Sequence, residues 1–258
     1  MKNHARPKVF LIRRRYLNTA FLIFCVFAIF YILTHPALVG TSPGPRAVPI
    51  YSVLREDQAI GLSFNLSSPE DEHSIHVKNI LDALGVRATF FVTGDWVRAN
   101  HDTALNLLAS GHELMNLSDD HQPLRPLSLE DQRANIQACS EAIFDLSGQT
   151  PTIFRAPYGQ HDDRLVNLAA SMGKITVQWS IDSGDWRGLS SDAITRQVLG
   201  RSFSGGVVLL HANLEQTAIA LPDIIRGLQE AGYEILPLSQ LIYQGEFVVS
   251  LTGRQVPV

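Results

Sequence analysis

Cysteine is nearly absent from this sequence of 258 residues, which contains only two. Cys25 lies in an apolar run and Cys139 lies in a helical pattern, so the two are not expected to pair. The sequence therefore excludes a small domain held together by a disulfide framework. Its 45% hydrophobic and 18% charged residues are ordinary for a globular protein. The length allows one large domain or two small ones.

Acidic residues are absent from the first 40 positions, and basic residues are scarce in the rest of the chain. Lys2, Arg6, Lys8 and Arg13–Arg15 place six of the 21 Lys and Arg in those 40 positions. The rest of the chain keeps 15 Lys and Arg against 25 Asp and Glu, which is a net charge of −10. An acidic body repels polyanions, so nucleic acid and anionic polymers are not expected as partners.

An uncharged apolar run near the N-terminus predicts one transmembrane helix at 17–34. It separates a basic segment, 1–16, from a proline-rich linker, 35–50. The positive-inside rule places the N-terminus in the cytoplasm and the body outside a cell membrane that is crossed once. The alternative is a cleaved signal peptide, which the length of the run and the lack of a clear A-x-A site disfavour.

From residue 51 onward, short apolar runs alternate about seven times with helical patterns. Apolar strands joined by helices are typical of a parallel sheet. We therefore expect an α/β fold, an irregular (β/α) barrel. The alternative, an open doubly wound sheet, lacks the expected Gly-rich loop after its first strand. The domain is predicted over 51–243, and the structure of the tail, 244–258, stays open.

The predicted elements follow from these patterns. Strands are expected at 59–64, 88–92, 113–115, 152–155, 175–179, 207–211 and 233–236. Helices are expected at 73–84, 103–109, 129–146, 164–172, 192–199 and 221–230, with Ser128 as the N-cap of the longest.

Polar side chains stand at the carboxyl ends of the predicted strands, where parallel barrels carry their function. The segments concerned are Phe64–Ser68, Asn116–His121, Phe154–Gly159, Asp182–Trp186 and Leu209–His211. We expect them to meet at one end of the barrel and to form the functional site there.

In order and spacing, these segments resemble the five motifs of the NodB-type polysaccharide deacetylases, carbohydrate esterase family 4. ATFFVTG at Ala88–Gly94 and GHELMN at Gly111–Asn116 are similar to the family's framework, and FRAPYG at Phe154–Gly159 is similar to its third motif. The resemblance covers residues 48–243. It implies a NodB-type barrel and hydrolysis of the amide bond of N-acetylated sugars with a divalent metal, zinc or cobalt.

The resemblance also implies that one Asp and two His bind the metal and that a second Asp is the base. Asn65 stands at the base position, and an amide cannot accept a proton near neutral pH. Leu66 replaces the metal-binding Asp and Leu117 replaces the first His, so that His121 alone remains as a metal ligand. Because a catalytic zinc normally has three protein ligands, no cofactor is expected.

The remaining motifs keep their polar residues. The resemblance implies that His211 protonated the leaving amine, and that Arg155 and Asp182 orient and tune the acid and base. From the residues alone, His211 is interpreted as a structural residue, and its place in the family's fifth motif makes a former acid or a sugar contact an equal alternative. Arg155 is expected to pair with Asp182 or Asp185.

Three further residues are predicted substrate contacts. Tyr158 and Pro157 belong to the third motif, where the backbone N–H after Pro157 is positioned as an oxyanion donor. Trp186 is interpreted as a platform for a sugar ring, with plain packing as the alternative.

Three hypotheses follow for the function. The first is a pseudoenzyme or glycan-binding module of the cell envelope, whose ligand is an N-acetylated glycan such as peptidoglycan. The second is an active amidohydrolase with a rearranged metal site, for which His121, Asp119, Asp120 and His112 are candidate ligands. The third is a structural partner in an envelope complex. Peptidoglycan is suggested because Ile50–Val53 resembles the lead-in of membrane-bound deacetylase-like proteins of spore-forming Gram-positive bacteria.

Overall fold

The computed structural model describes residues 47–258. The predicted segments 1–16 and 17–34 and most of the linker 35–50 lie outside the described residues. Within residues 47–258, none of the helices combines the length and the apolar character needed to cross a membrane.

Strands and helices alternate through the described residues as the sequence predicts. The strands are β1 (Ser52–Val53), β2 (Ala59–Leu66), β3 (Thr89–Val92), β4 (Glu113–Asn116), β5 (Ile153–Phe154), β6 (Ile175–Thr176), β7 (Ile181–Asp182), β8 (Val207–His211), β9 (Glu234–Leu236), β10 (Phe247–Val249) and β11 (Arg254–Pro257). The helices are α1 (Ser74–Ala83), α2 (Gly94–Ala99), α3 (His101–Ala109), α4 (Leu129–Ser147), α5 (Asp163–Ser171), α6 (Ser191–Leu199), α7 (Glu215–Glu230) and α8 (Leu238–Leu241).

Seven parallel strands form the main sheet, in the order β6-β5-β4-β3-β2-β8-β7. β9 pairs with the start of β2. All eight residues of β2 are buried, as expected for a strand covered on both faces. Asn65 pairs with Phe91 of β3 and with His211 of β8, so the carboxyl ends of these three strands lie side by side.

The connection between β6 and β7 shows that this sheet curls into a half-barrel. These strands occupy opposite edges of the sheet, yet only residues 177–180 join them. Seven strands laid flat would separate the edges by about 29 Å, at ~4.8 Å per gap. The five steps from Thr176 to Ile181 span at most about 18 Å. The sheet must therefore bend round, in agreement with an irregular (β/α) barrel.

The same connection corrects one predicted strand. The strand expected at 175–179 ends after Thr176, and β7 starts only at Ile181. Between them the backbone changes partners, because Val177 N–H donates to Phe154, Gln178 N–H to Ile50, and Ser180 N–H to Val207. The apolar pattern marked the extended conformation correctly but did not reveal that the chain crosses from one edge to the other.

Alternate residues of β2 face two different environments. Leu62, Phe64 and Leu66 pack with α7 residues such as Leu221 in the layer between the sheet and the helices. Because side chains alternate along a strand, Ser63 and Asn65 face the interior of the barrel. The barrel interior thereby receives polar groups near the end where the site lies.

The segment 244–258, whose structure the sequence left open, forms a small second sheet. β11 pairs with β10 in antiparallel fashion and with β1 in parallel. Ile50 also bridges to Val177, so the start of the domain covers the gap beside β6. Gly205 approaches this lead-in so closely that an added Cβ would lie 1.8 Å from the Val53 carbonyl oxygen.

Candidate functional site

A cleft of about 360 Å³ opens at the carboxyl ends of the parallel strands. It collects most of the residues that the sequence selected for the site. The lining residues are Asn65, His121, Tyr158, Trp179, Asp182, Trp186, Leu209 and His211.

One wall of the cleft is a histidine–carboxylate pair in which both carboxylate oxygens accept hydrogen bonds. His211 ends β8, and its Nδ1 lies 2.8 Å from Oδ1 of Asp185. The Asp185 Oδ2 atom accepts the His211 backbone N–H at 2.7 Å and the Thr217 hydroxyl at 2.8 Å. Burial raises the pKa of Asp185, but the hydrogen bond and the charge of His211 outweigh burial, and the net effect lowers it. The carboxylate thus stays ionised and fixes the imidazole.

Asp182 does not perform the orienting role that was predicted for it. Its Oδ1 accepts the Gly184 backbone N–H at 2.8 Å and the Trp186 indole N–H at 3.3 Å, so it organises its own loop. The residue that orients His211 is Asp185, which was predicted only as a possible partner of Arg155. The signal was present, since Asp185 lies in the same motif directly before Trp186.

Arg155 is fully buried beneath the cleft and forms no ion pair with any carboxylate of residues 47–258. Its Nη1 donates to Oδ1 of Asn65 at 2.9 Å, and its Nη2 donates to Oγ of Ser63 at 2.8 Å. The guanidinium carbon lies 3.8 Å from the centroid of the Phe91 ring. The predicted pairing with Asp182 or Asp185 is therefore wrong, because Asp182 is bonded within its loop and Asp185 belongs to His211.

Asn65 presents one polar atom to the arginine and the other to the cleft. Because Arg155 has only donors, the atom that faces it at 2.9 Å must be the amide oxygen. The Nδ2 group makes no hydrogen bond to another described residue, and Asn65 lines the cleft while remaining 6% exposed. At the position that the resemblance gives to the base, the chain therefore offers hydrogen-bond donors.

Leu66 and Leu117 are both fully buried. Leu66 packs in the layer between the sheet and the helices, and Leu117 packs in the interior cluster with Phe91 and Met115. Neither side chain has a polar atom. Both positions contribute apolar packing beside the cleft.

The loop after β4 holds His121 in place. The Asn116 side chain donates to Ile136 O at 2.8 Å and accepts the Ser118 N–H at 2.8 Å, and the Ser118 hydroxyl accepts the His121 N–H at 3.1 Å. His121 has a positive φ of 58° and packs against Tyr158, with ring centroids 4.6 Å apart. This strained loop aims the imidazole toward the cleft.

The Nε2 atom of His121 is buried and has no hydrogen-bond partner in the described residues. Burial, together with the nearby charge of His211, lowers the pKa of His121 to about 4, against the opposite influence of Asp120. The imidazole is therefore neutral near pH 7, with a free position that a ligand or a water molecule can satisfy.

Two exposed aromatic residues stand at the mouth of the cleft. Tyr158 is 59% exposed and Trp186 is 57% exposed. Pro157 is buried at the start of the helical turn Pro157–Gly159, where its fixed φ suits the first position. The Arg187 guanidinium lies 4.6 Å from the Trp186 ring and covers part of it. This arrangement leaves aromatic surface available to a sugar ring.

Comparison with known proteins identifies the family. Residues 53–177 match the family described as polysaccharide deacetylase. The chitooligosaccharide deacetylase of Bradyrhizobium sp. is 31% identical over 221 residues, which cover 75% of this chain and 98% of that protein. The chain belongs to the polysaccharide deacetylase family. The family that the resemblance predicted is thus confirmed.

Two further members of the polysaccharide deacetylase family are similar to this chain, one in sequence and one in structure. The peptidoglycan-N-acetylglucosamine deacetylase of Listeria monocytogenes is 30% identical over 199 residues; the match covers 77% of this chain but only 42% of that protein. A CE4 family pseudoenzyme from Bacillus anthracis has a TM-score of 0.72 at 28% identity, over 79% of this chain and 70% of its own. A mutant of that pseudoenzyme with restored enzymatic activity is equally similar in structure.

The divalent metal of the polysaccharide deacetylase family does not fit the donor set of this cleft. His121 Nε2 is one suitable donor, but Leu66 and Leu117 supply none. No group of three or more His, Cys, Asp or Glu side chains in residues 47–258 is arranged to hold a metal.

The rearranged ligand set considered from the sequence does not assemble either. Asp119 pairs with Arg98 at 2.7 Å, and Asp120 accepts from the Asn135 amide at 2.9 Å. His112 is buried elsewhere, where its Nδ1 accepts the Ala88 backbone N–H at 3.2 Å. These side chains are committed to other partners.

Proposed function

We propose that this chain is an inactive member of the polysaccharide deacetylase family that binds an N-acetylated cell-wall glycan, in particular peptidoglycan. The observation that carries the proposal is which residues occupy the positions of the base and the metal ligands. Asn65, Leu66 and Leu117 stand where a base and two metal ligands are needed, and His121 is left alone. Without a metal and a base, no group in the cleft activates water for attack on an amide.

The glycan-binding part of the proposal is supported by the opposite wall of the same cleft. The His211–Asp185 pair is intact, and Tyr158 and Trp186 remain exposed at the mouth. An exposed indole is a common contact for a sugar ring because it offers a flat apolar face. A relative that acts on peptidoglycan N-acetylglucosamine points to the same class of ligand.

The deciding experiment measures metal, turnover and binding on the full chain in detergent micelles. The protein is loaded with zinc or cobalt, and bound metal, acetate release and affinity are measured with chito-oligomers and with peptidoglycan fragments. We expect saturable glycan binding, less than stoichiometric metal and no acetate. Tight 1:1 metal with acetate release would establish the active amidohydrolase instead.

A matched pair of variants separates glycan binding from a purely structural role. Trp186→Ala removes aromatic surface at the cleft, whereas Leu251→Ala removes a side chain that is 85% exposed on the β10–β11 turn and does not line the cleft. Weaker glycan binding in the first variant alone supports the proposal. Equal behaviour of both variants, with no measurable glycan binding, favours the structural partner in an envelope complex.

The proposal includes a location at the cell membrane, with residues 1–16 in the cytoplasm and the barrel outside. It rests on the uncharged run within 17–34 and on the basic residues before it. Protease added to intact cells is expected to digest the barrel but to spare a tag at the N-terminus. A barrel that is released by cleavage and recovered without its first 34 residues would contradict the anchor.

A further inference from the structure

A buried positive charge lies under the cleft without a negative partner. Arg155 is 0% exposed, and its hydrogen-bond acceptors are the neutral groups of Asn65, Ser63, Val177 and Gln178. Burial lowers the pKa of Arg155, but a guanidinium does not lose its proton in proteins. A buried charge without a counterion leaves an attraction for anions at the nearest accessible point.

The nearest accessible point is the amide of Asn65. Its oxygen is fixed on Arg155 at 2.9 Å, so the two N–H groups of Nδ2 must point away from the guanidinium. Asn65 lines the cleft, and no described residue accepts from Nδ2. The hydrogen bond to Arg155 polarises the amide, so the two Nδ2 N–H groups become stronger hydrogen-bond donors, and their direction toward the cleft is fixed.

The acidic groups around the cleft are directed toward partners other than Asn65 and Arg155. Asp185 is held by His211 and Thr217, and Asp182 accepts from Gly184 and Trp186 in its own loop. The net charge of the body disfavours long polyanions, but a single small anion at the floor of the cleft responds to the groups within hydrogen-bond reach.

We propose that Asn65 and Arg155 form a seat for a carboxylate group of the bound ligand. This inference rests on the proposed glycan-binding function and narrows it to sugars that carry a carboxylate. In peptidoglycan, N-acetylmuramic acid differs from N-acetylglucosamine by a lactyl ether that ends in a carboxylate. The seat would therefore select the muramic acid residue, because charge-assisted hydrogen bonds are the stronger kind.

Two disaccharides that differ only in this group provide the test. The full chain in micelles is titrated with N,N′-diacetylchitobiose and with N-acetylglucosaminyl-N-acetylmuramic acid at constant ionic strength. We expect the acidic disaccharide to bind about tenfold more tightly, as hydrogen bonds to a charged group imply. Asn65→Asp should abolish this preference, because it replaces the donors with a carboxylate that pairs with Arg155.

A second measurement tests the seat without any glycan. Sodium acetate should raise the melting temperature of the wild-type chain above that in sodium chloride of equal ionic strength, and Asn65→Asp should remove the difference. Asn65→Ala is the second variant, since it deletes the donors without adding charge and should weaken the acetate effect. Leu251→Ala should leave it unchanged.

The outcomes separate the two proposals. Equal affinity for both disaccharides and an acetate effect that survives Asn65→Asp would overturn the seat and leave glycan binding standing. Failure of both disaccharides to bind, with the acetate effect present and lost in Asn65→Asp, would retain the seat and remove the glycan. Absence of any acetate effect in the wild-type chain would overturn the seat regardless of the glycan result.

Discussion

The two walls of the cleft differ in how completely their polar groups are paired. On the β7–β8 wall, both oxygens of Asp185 accept hydrogen bonds, and His211 is fixed by them. On the β2–β4 wall, His121 Nε2 has no partner among the described residues, Asn65 faces the cleft with free donors, and Leu66 has no polar atom. Both walls stand on the same sheet, at the ends of neighbouring strands.

On the proposed function, this difference means that a reaction centre has been lost while the scaffold around it has stayed in place. On the same proposal, leucine at positions 66 and 117 supplies apolar packing where metal ligands once stood, and an apolar side chain needs no hydrogen-bond partner. The Asp185 network cannot be replaced by apolar side chains one at a time, because removing Asp185 would leave buried donors of His211 and Thr217 without an acceptor. The experiments that follow test this comparison, from the largest expected effect to the smallest.

Rebuilding the β2–β4 wall should have the largest effect. The triple substitution Asn65→Asp, Leu66→Asp and Leu117→His supplies a base at position 65 and adds two metal ligands, at positions 66 and 117, to His121. We expect stoichiometric zinc binding with a free energy on the order of 10 kcal/mol, as at protein zinc sites. Titration in competition with a chelator measures it, and acetate release from chito-oligomers tests whether activity returns.

The matched control for this rebuilding is Leu117→His alone. It provides only two metal ligands, His121 and the new side chain at position 117, and should bind zinc weakly. Without zinc, the triple variant should unfold more easily than the wild type because a carboxylate is buried at position 66. Zinc should reverse that loss. A folded triple variant that binds no metal would mean that the wall itself has moved from the geometry of the active family members.

Breaking the β7–β8 wall should have the next largest effect. Asp185→Ala leaves the His211 backbone N–H and the Thr217 hydroxyl without their acceptor, and we expect a loss of about 3 kcal/mol in the free energy of unfolding. Asp182→Ala is the control, since it removes bonds within a partly exposed loop and should cost about 1 kcal/mol. Urea unfolding measures both. Equal losses would contradict the contrast between the two aspartates.

The same wall should make the protein sensitive to acid. Because the folded-state pKa of Asp185 is lowered, its contribution to stability is present above the unfolded pKa of about 3.9 and is lost as the pH falls through the lower folded value. Asp185→Asn should therefore lose less stability than the wild type between about pH 5 and pH 3. Unfolding midpoints measured across that range check the sign.

Completing the charge on the β2–β4 wall should act in the opposite direction. Asn65→Asp gives Arg155 a counterion, and we expect a gain of about 1 to 2 kcal/mol, since a buried charge without a partner is costly. A double-mutant cycle is the control, because the same change made together with Arg155→Met should destabilise the fold. A loss of stability from Asn65→Asp in both backgrounds would show that Arg155 needs no counterion.

The smallest effect on the fold should come from the mouth of the cleft. Trp186→Ala should change the free energy of unfolding by less than about 0.5 kcal/mol, because the side chain is mostly exposed. It should weaken glycan binding by about 1 kcal/mol through the lost aromatic face. Binding and unfolding measured on the same preparation separate the two, and a large loss of stability would identify Trp186 as a packing residue.

Periodicity predicted the alternating elements well where burial and capping agree. The strand Val207–His211 has the predicted bounds, and Ser128 caps α4 by accepting the Asp131 N–H at 3.1 Å. The helix predicted from residue 221 begins instead at Glu215. Proline is usually found in the first turn of a helix. Pro222 lies in the interior of α7 instead, because buried residues such as Thr217 and Ala218 pack the preceding turns against the core.

The site could be predicted by position but not by bonding. The motifs placed Asn65, His121, Tyr158, Asp182 and His211 around one cleft, as the structure does. They did not reveal which acidic residue binds which partner. Asp182 and Asp185 are three residues apart, and only the conformation of their loop decides that Asp185 faces His211. The Nδ2 orientation of Asn65 was equally hidden, because it follows from a contact across three strands.

The pairing of β1 with β11 has a consequence for how the chain is made. Ser52 at the start of the domain pairs with Arg254 near its end, and Ile50 beside it closes the gap at β6. Contacts so distant in sequence form late, and synthesis proceeds from the N-terminus at about 5 to 20 residues per second. β1 therefore cannot complete its pairing with β11 until residues 254–257 have been synthesised, so the small sheet is completed late.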